Sequence, residues 1–187
     1  MEAREQVPGT GETVAATQAG QATVDQAKVQ ELIREIRAGQ NLTMGIVGGA
    51  VAAVVGAAVW AAVTVATGVQ IGWMAVGVGF LVGGAIRLLG KGIDKPFGYA
   101  GAALSLFGCL LGNLLSIYAI LAQQEELSFF FVLTHANLSA IPELFRVTFH
   151  PMDLLFYGIA IYEGYRFSFR RLTQADLARI SSRPAQS

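Results

Sequence analysis

The chain reads as an all-α integral membrane protein: a four-helix transmembrane bundle with an amphipathic N-terminal helix and a partly membrane-embedded outer loop. Three observations predict this. Of 187 residues, 53% are hydrophobic and only 14% are charged, whereas roughly a quarter of an ordinary soluble domain is charged. The charges leave long gaps: residues 38–86, 49 in a row, and residues 96–124, 29 in a row, contain no Asp, Glu, Lys or Arg. A bilayer core about 30 Å thick takes roughly 20 helical residues, so the first gap holds two crossings and the second holds one. Finally, threading four spans with the N-terminus inside places twelve of the thirteen basic residues on the cytosolic side and only Arg146 outside, as the positive-inside rule expects.

The elements follow in order. Residues 1–22 are small, polar and aperiodic and read as a disordered cytosolic tail without a basic-then-apolar signal. Residues 23–40 read as an amphipathic juxtamembrane helix: Val24, Val29, Leu32, Ile33 and Ile36 recur at helical spacing among Asp25, Lys28, Glu31, Arg34, Glu35 and Arg37. A four-span domain over 41–171 follows, with spans at about 44–66, 72–89, 97–122 and 151–169. The break at Thr67-Gly68-Val69-Gln70 is a tight turn. The last span carries Asp153, Glu163 and Arg166, and the charge rule is what argues for it: without it, Arg166 through Arg183 would lie outside. The outer loop, about 123–150, contains Phe129-Phe130-Phe131-Val132-Leu133 and Leu144-Phe145, too apolar for water, yet Pro142, Glu143 and Arg146 argue against a fifth span. It reads as an interfacial or re-entrant pair of short helices. Residues 172–187 are a cytosolic tail, with a short helix over Thr173 to Ile180.

Glycine dominates the motifs. Gly45, Gly49 and Gly56 in the first span, Gly79 and Gly83 in the second, and Gly108 and Gly112 in the third are the expected helix-packing positions. Gly79-x-x-x-Gly83 and Gly108-x-x-x-Gly112 put hydrogens where side chains would stand and let another backbone come close. Such seams either hold the helices of one chain together or dock a second copy or another membrane subunit.

The intramembrane polar residues supply the sharper reading. Arg87 snorkels at the inner end of the second span, Glu163 lies one turn above Arg166, and Asn113 is mid-span. Paired across the bundle, Arg87, Asn113 and Glu163 would instead line a proton or ion path. His135 and His150 with Glu143 and Asp153 are the only candidate metal ligands. Their spacing matches no ligand pattern, and Pro151 with Asp153 is ordinary N-terminal helix chemistry, so no metal site is assigned. Cys109 is alone, which excludes an internal disulfide. Gly84 to Gly92 does not have phosphate-loop spacing, Gly77-x-Gly79 lies inside a span, and no Ser-His-Asp or Gly-x-Ser-x-Gly arrangement occurs. Thirteen basic residues balance thirteen acidic ones, so no nucleic-acid partner is expected.

Gly90-Lys91-Gly92-Ile93-Asp94-Lys95-Pro96-Phe97-Gly98, then Cys109-Leu110-Leu111-Gly112-Asn113, Asp153-Leu154-Leu155-Phe156-Tyr157 and Ala160-Ile161-Tyr162-Glu163-Gly164-Tyr165, resemble segments of small uncharacterised bacterial multi-pass membrane proteins. The resemblance covers about Gly72 to Arg171. It implies a bacterial inner membrane, and a shared surface formed by the Lys91-to-Phe97 loop and the Tyr162-to-Tyr165 stretch. It brings no activity or cofactor with it. The sequence thus leads to a non-enzymatic structural or accessory subunit without cofactor, embedded in the plasma membrane with both termini cytoplasmic. The lipid bilayer, and further copies of the chain or another subunit, would be its partners. A small transporter or channel component, with its path through Glu163, Arg87 and Asn113, is the alternative.

Overall fold

The structure, a computed structural model, describes residues 26, 28–69, 71–135, 139, 141–148 and 151–171. The tails over 1–22 and 172–187, the helix over 173–180 and His150 lie outside the described residues. The chain divides into two compact units, one made of residues 1–38 and 172–187 and the other of residues 39–171. In the first, a helix (α1) runs over residues 28–38. Along it Leu32 and Ile36, one turn apart, are buried, while Glu31, Arg34, Glu35 and Arg37 are exposed.

The second unit holds helices α2 (Leu42–Thr67), α3 (Trp73–Gly90), α4 (Lys95–Gln124), α5 (Phe129–Thr134), α6 (Ile141–Thr148) and α7 (Pro151–Phe167). Their ends follow from local chemistry. The Asn41 side chain accepts a hydrogen bond from the Met44 N–H at 2.9 Å and caps α2. Gly68, at φ 67°, ends it with its N–H on the Thr64 carbonyl, a left-handed turn that glycine adopts without strain. Pro96 occupies the first turn of α4, where its missing N–H leaves no partner wanting. Lys91 takes the left-handed conformation, φ 50°, that stops α3. Three helices, α2, α3 and α4, are long and apolar enough to cross a membrane, and α4 at 30 residues is longer than the 97–122 the sequence pattern predicts. α7 has 17 residues and carries Asp153, Glu163 and Arg166, and it is not one of the three.

α3 and α4 form the centre. α2 packs against both, and α7 packs against both. The pairings give the directions. Gly45 lies by Gly90 and Gly56 by Val78, so α2 and α3 are antiparallel. Gly108 lies by Ala53, and the Ser116 and Thr64 hydroxyls are 3.3 Å apart, so α2 and α4 are parallel. Asn113 meets Tyr157 and Gly98 meets Tyr165 and Phe169, so α7 runs antiparallel to α4. The core between them is Trp60, Val78, Val82, Ile86, Phe97, Cys109, Tyr157 and Ala160. In the connection between α4 and α7, α5 packs on α4, Val132 clusters with Tyr118 and Ala122, and Leu144 of α6 adds to the same cluster.

Candidate functional site

The close helix contacts come first, because they decide what is left to interact. An imaginary Cβ on Gly79 would lie 2.6 Å from the Ala160 carbonyl oxygen, and one on Gly83 2.8 Å from Phe167 Cβ, so both glycines face α7. A Cβ on Gly108 would meet Val78 Cγ1 of α3 at 2.7 Å and Ala53 Cα of α2 at 3.3 Å, and one on Gly112 would meet Trp60 Cε3 of α2 at 2.8 Å. Gly45 faces Gly90 Cα at 3.2 Å, Gly49 faces Ile86 Cγ1 at 2.7 Å, and Gly56 faces Val78 Cγ2 at 3.2 Å. Each of the seven is therefore directed at a neighbouring helix of the same chain.

The tightest seam escaped the sequence reading. A Cβ on Gly101 would strike the Gly164 carbonyl and the Ser168 hydroxyl, and one on Gly164 would strike Ser105 Oγ and lie 2.6 Å from the Gly101 oxygen. Here two backbones, α4 and α7, touch. The signal was present as Gly101-x-x-x-Ser105 and Gly164-x-x-x-Ser168, a small-x-x-x-small pattern in which serine stands for glycine. The Ser168 hydroxyl donates to the Gly164 carbonyl at 2.6 Å, so it faces this contact without presenting an unmet donor. Gly77, Gly84 and Gly158, by contrast, have nothing within 4 Å of a built Cβ.

Arg87, Asn113 and Glu163 are not joined. The Asn113 amide donates to the Tyr157 hydroxyl at 2.8 Å in the buried α4–α7 contact. Six residues separate Tyr157 from Glu163 along α7, about 9 Å of helix rise, and Ala160, fully buried against Gly79, lies between them. Among the described residues no ion pair links Arg87 to Glu163. Glu163 Oε2 is buried and accepts no hydrogen bond. Arg166 does not turn to Glu163 either: its guanidinium donates to the Tyr162 hydroxyl at 3.4 Å and stands 5.9 Å from that ring's centre. Because Glu163 packs at the level of Gly83, it sits seven residues, about 10 Å, from the end of α3, and four residues, about 6 Å, from the end of its own helix.

The Asn113–Tyr157 bond carries a definite expectation. Tyr157→Phe removes this acceptor, and membrane double-mutant cycles put such bonds near about 0.6 kcal/mol, at most about 1.7. A cycle of Tyr157→Phe with Asn113→Leu, followed by unfolding in detergent micelles, should show a coupling of about that size. No coupling would mean that the two side chains do not bond in the membrane.

At the end of the unit that carries Lys91, three segments are tied by backbone. The Asn41 N–H donates to the Gly90 carbonyl at 3.0 Å, and the Arg170 N–H to the Gly92 carbonyl at 2.7 Å. The Phe97 ring lies across Gly92 and Gly90. Tyr165 packs on Gly98 with its ring 5.8 Å from that of Tyr99 and 5.2 Å from that of Phe169. The loop before α4 and the end of α7 are thus one continuous patch. Tyr99, Tyr162, Lys91, Lys95, Arg166 and Arg171 are exposed on it.

No three metal-ligating side chains come together among the described residues. His135 stacks on Phe131, with ring centres 4.2 Å apart, and its Nδ1 is 2.9 Å from the Phe131 carbonyl oxygen. The chain matches no protein-family model, no curated protein and no solved structure.

Proposed function

We propose that the protein is a non-enzymatic, multi-pass membrane protein, a four-helix transmembrane bundle serving as a structural or accessory subunit. In this reading α7 is the fourth crossing. Its support is a matter of direction: α4 leaves the Lys91 end and climbs about 45 Å over 30 residues, yet Arg170, just past α7, is back at Gly92. The chain between has to return along the full depth of the bundle, and α7 lies along that route, against α3 and α4. The positive-inside rule then sets the Lys91 end in the cytosol, with both termini on that side and the α5–α6 loop outside. The membrane is the plasma membrane, the inner membrane if the host is bacterial.

The observation that carries the subunit reading is what remains after the in-chain seams are closed. Trp73, Gly77, Phe80, Gly84 and Leu88 recur along one outward side of α3; Trp73, Phe80 and Leu88 are exposed, although the Trp73 and Phe80 rings also lean on Phe156 and Phe167 of α7, with ring centres 5.7 and 4.4 Å apart, and a Cβ on either glycine would meet nothing within 4 Å. Two notches between large apolar side chains are the relief into which a neighbouring helix packs in a bilayer, where association depends on close fit. A second copy of the chain or another membrane subunit would supply that helix.

Native mass spectrometry of the protein released from nanodiscs, after purification from its own host, tests this. A defined oligomer or co-purifying subunit is expected, and Gly77→Leu with Gly84→Leu should dissociate it without lowering the unfolding temperature. A bare monomer would overturn the reading. The unpartnered Glu163 oxygen favours the second reading, a transporter or channel component; there the reconstituted monomer would carry a flux that Glu163→Gln abolishes.

A further inference from the structure

The Lys91 end has a chemistry of its own. Residues 87–99 and 162–171 contribute Arg87, Lys91, Lys95, Arg166, Arg170 and Arg171, against two carboxylates, Asp94 and Glu163. The opposite end is reversed: residues 123–153 hold Glu125, Glu126, Glu143 and Asp153 against Arg146 alone. The basic residues are near one another for a structural reason. The Arg170 N–H on the Gly92 carbonyl and the packing of Tyr165 and Phe169 on Gly98 bring the end of α7 onto the loop before α4. Lys91, Lys95, Arg166 and Arg171 are all exposed there. Arg166 stands over the Tyr162 ring and Arg171 over the Phe167 ring, each 5.9 Å from its centre, so aromatic faces hold their cationic heads in place. Tyr99 and Tyr162, 63% and 55% exposed, add amphipathic rings of the kind that settle at headgroup depth.

We propose that this patch, formed by the Lys91–Lys95 loop and the Arg166–Arg171 end of α7, binds the phosphodiester headgroups of anionic lipids in the adjoining leaflet. The charge is complementary, the depth is that of the headgroups, and the two arginines present forked donors suited to phosphate oxygens. The inference rests on α2, α3 and α4 crossing a bilayer. It does not rest on the subunit reading, because a monomer holding anionic lipid would overturn that reading and leave this one standing.

The test uses the full chain in nanodiscs of equal parts phosphatidylglycerol and phosphatidylcholine, with the lipids that stay bound on release counted by native mass spectrometry. Phosphatidylglycerol should be retained in preference. Lys91→Gln with Lys95→Gln, and separately Arg166→Gln with Arg171→Gln, should each weaken that retention by at least about tenfold, since one basic residue near a membrane surface contributes about fivefold. Arg146→Gln at the other end should leave it unchanged. Should both double variants fold poorly, the unaltered protein still decides the matter, because its preference for phosphatidylglycerol must fade as salt is raised towards about 1 M. Equal retention of the two lipids, loss with Arg146→Gln, or displacement by millimolar inorganic phosphate, which would mark a free-anion site, would each overturn the proposal. So would an acidic protein segment found on the patch in place of lipid.

Discussion

Gly164→Leu is expected to prevent α7 from docking and to leave the protein without a measurable cooperative unfolding transition in detergent micelles. Overpacking a core costs about 1–3 kcal/mol when side chains can move aside. At Gly164 they cannot, because the atoms in the way are the Gly101 carbonyl oxygen and the Ser105 side chain on a helix of the same core. Two backbones would have to separate, and with them the Asn113–Tyr157 bond above. A loss beyond about 3 kcal/mol follows from that geometry. Gly101→Leu should do the same from the other side of the seam. Gly158→Leu on the same helix is the control: a Cβ there meets nothing within 4 Å, so stability should change by no more than about 0.5 kcal/mol. If Gly164→Leu unfolds at the same temperature as Gly158→Leu, α7 does not lie where the seam puts it.

Phe97→Ala should have the second-largest effect. Its ring, 3% exposed, covers Gly90 and Gly92 and reaches the position of Gly45, so it fills the place where α2, α3 and α4 meet. No small residue around it can swell to close the void. Truncation of a buried phenylalanine costs about 3–5 kcal/mol. In a bilayer the transfer part of that figure shrinks, but the packing part persists, because dispersion contacts are what hold membrane helices together. The expected signature is a lower unfolding temperature together with faster proteolysis between Lys91 and Asp94, since the ring also pins that loop. Phe97→Leu, which keeps most of the volume, should fall between. Unchanged cleavage in Phe97→Ala would show that the backbone bonds at Asn41 and Arg170 hold the loop without the ring.

How much of this was legible can be argued from particular residues. Asn41, Gly68 and Pro96 act on their own turns, and of the three only the break at Gly68 was read from the sequence. The glycine spacings were legible too. Which helix each one meets was not: Gly79 and Gly83 face α7, Gly108 lies between α2 and α3, and Gly112 faces α2, and nothing in a heptad-like spacing names the partner. The Gly101–Gly164 seam was missed because glycine alone was counted, although serine serves the same purpose at Ser105 and Ser168. The polar residues show the same limit: from the sequence Arg87, Asn113 and Glu163 could be read singly or as one path, and only the tertiary structure gives Asn113 its partner Tyr157 and turns Arg166 to Tyr162.

The sequence by itself determined that the chain is helical and suited to a bilayer. That is a one-dimensional property: each backbone amide in lipid has to be satisfied within its own segment, so hydropathy and length suffice to mark the helices. Only the tertiary structure decided which faces are used up and which stay open. It closed the seven predicted glycines inside the chain, opened Gly77 and Gly84 outward, and drew two separate basic segments into one patch through Arg170 and Gly92. Those outcomes depend on contacts between residues dozens of positions apart, and such contacts are set by the fit of whole helix surfaces rather than by any local preference.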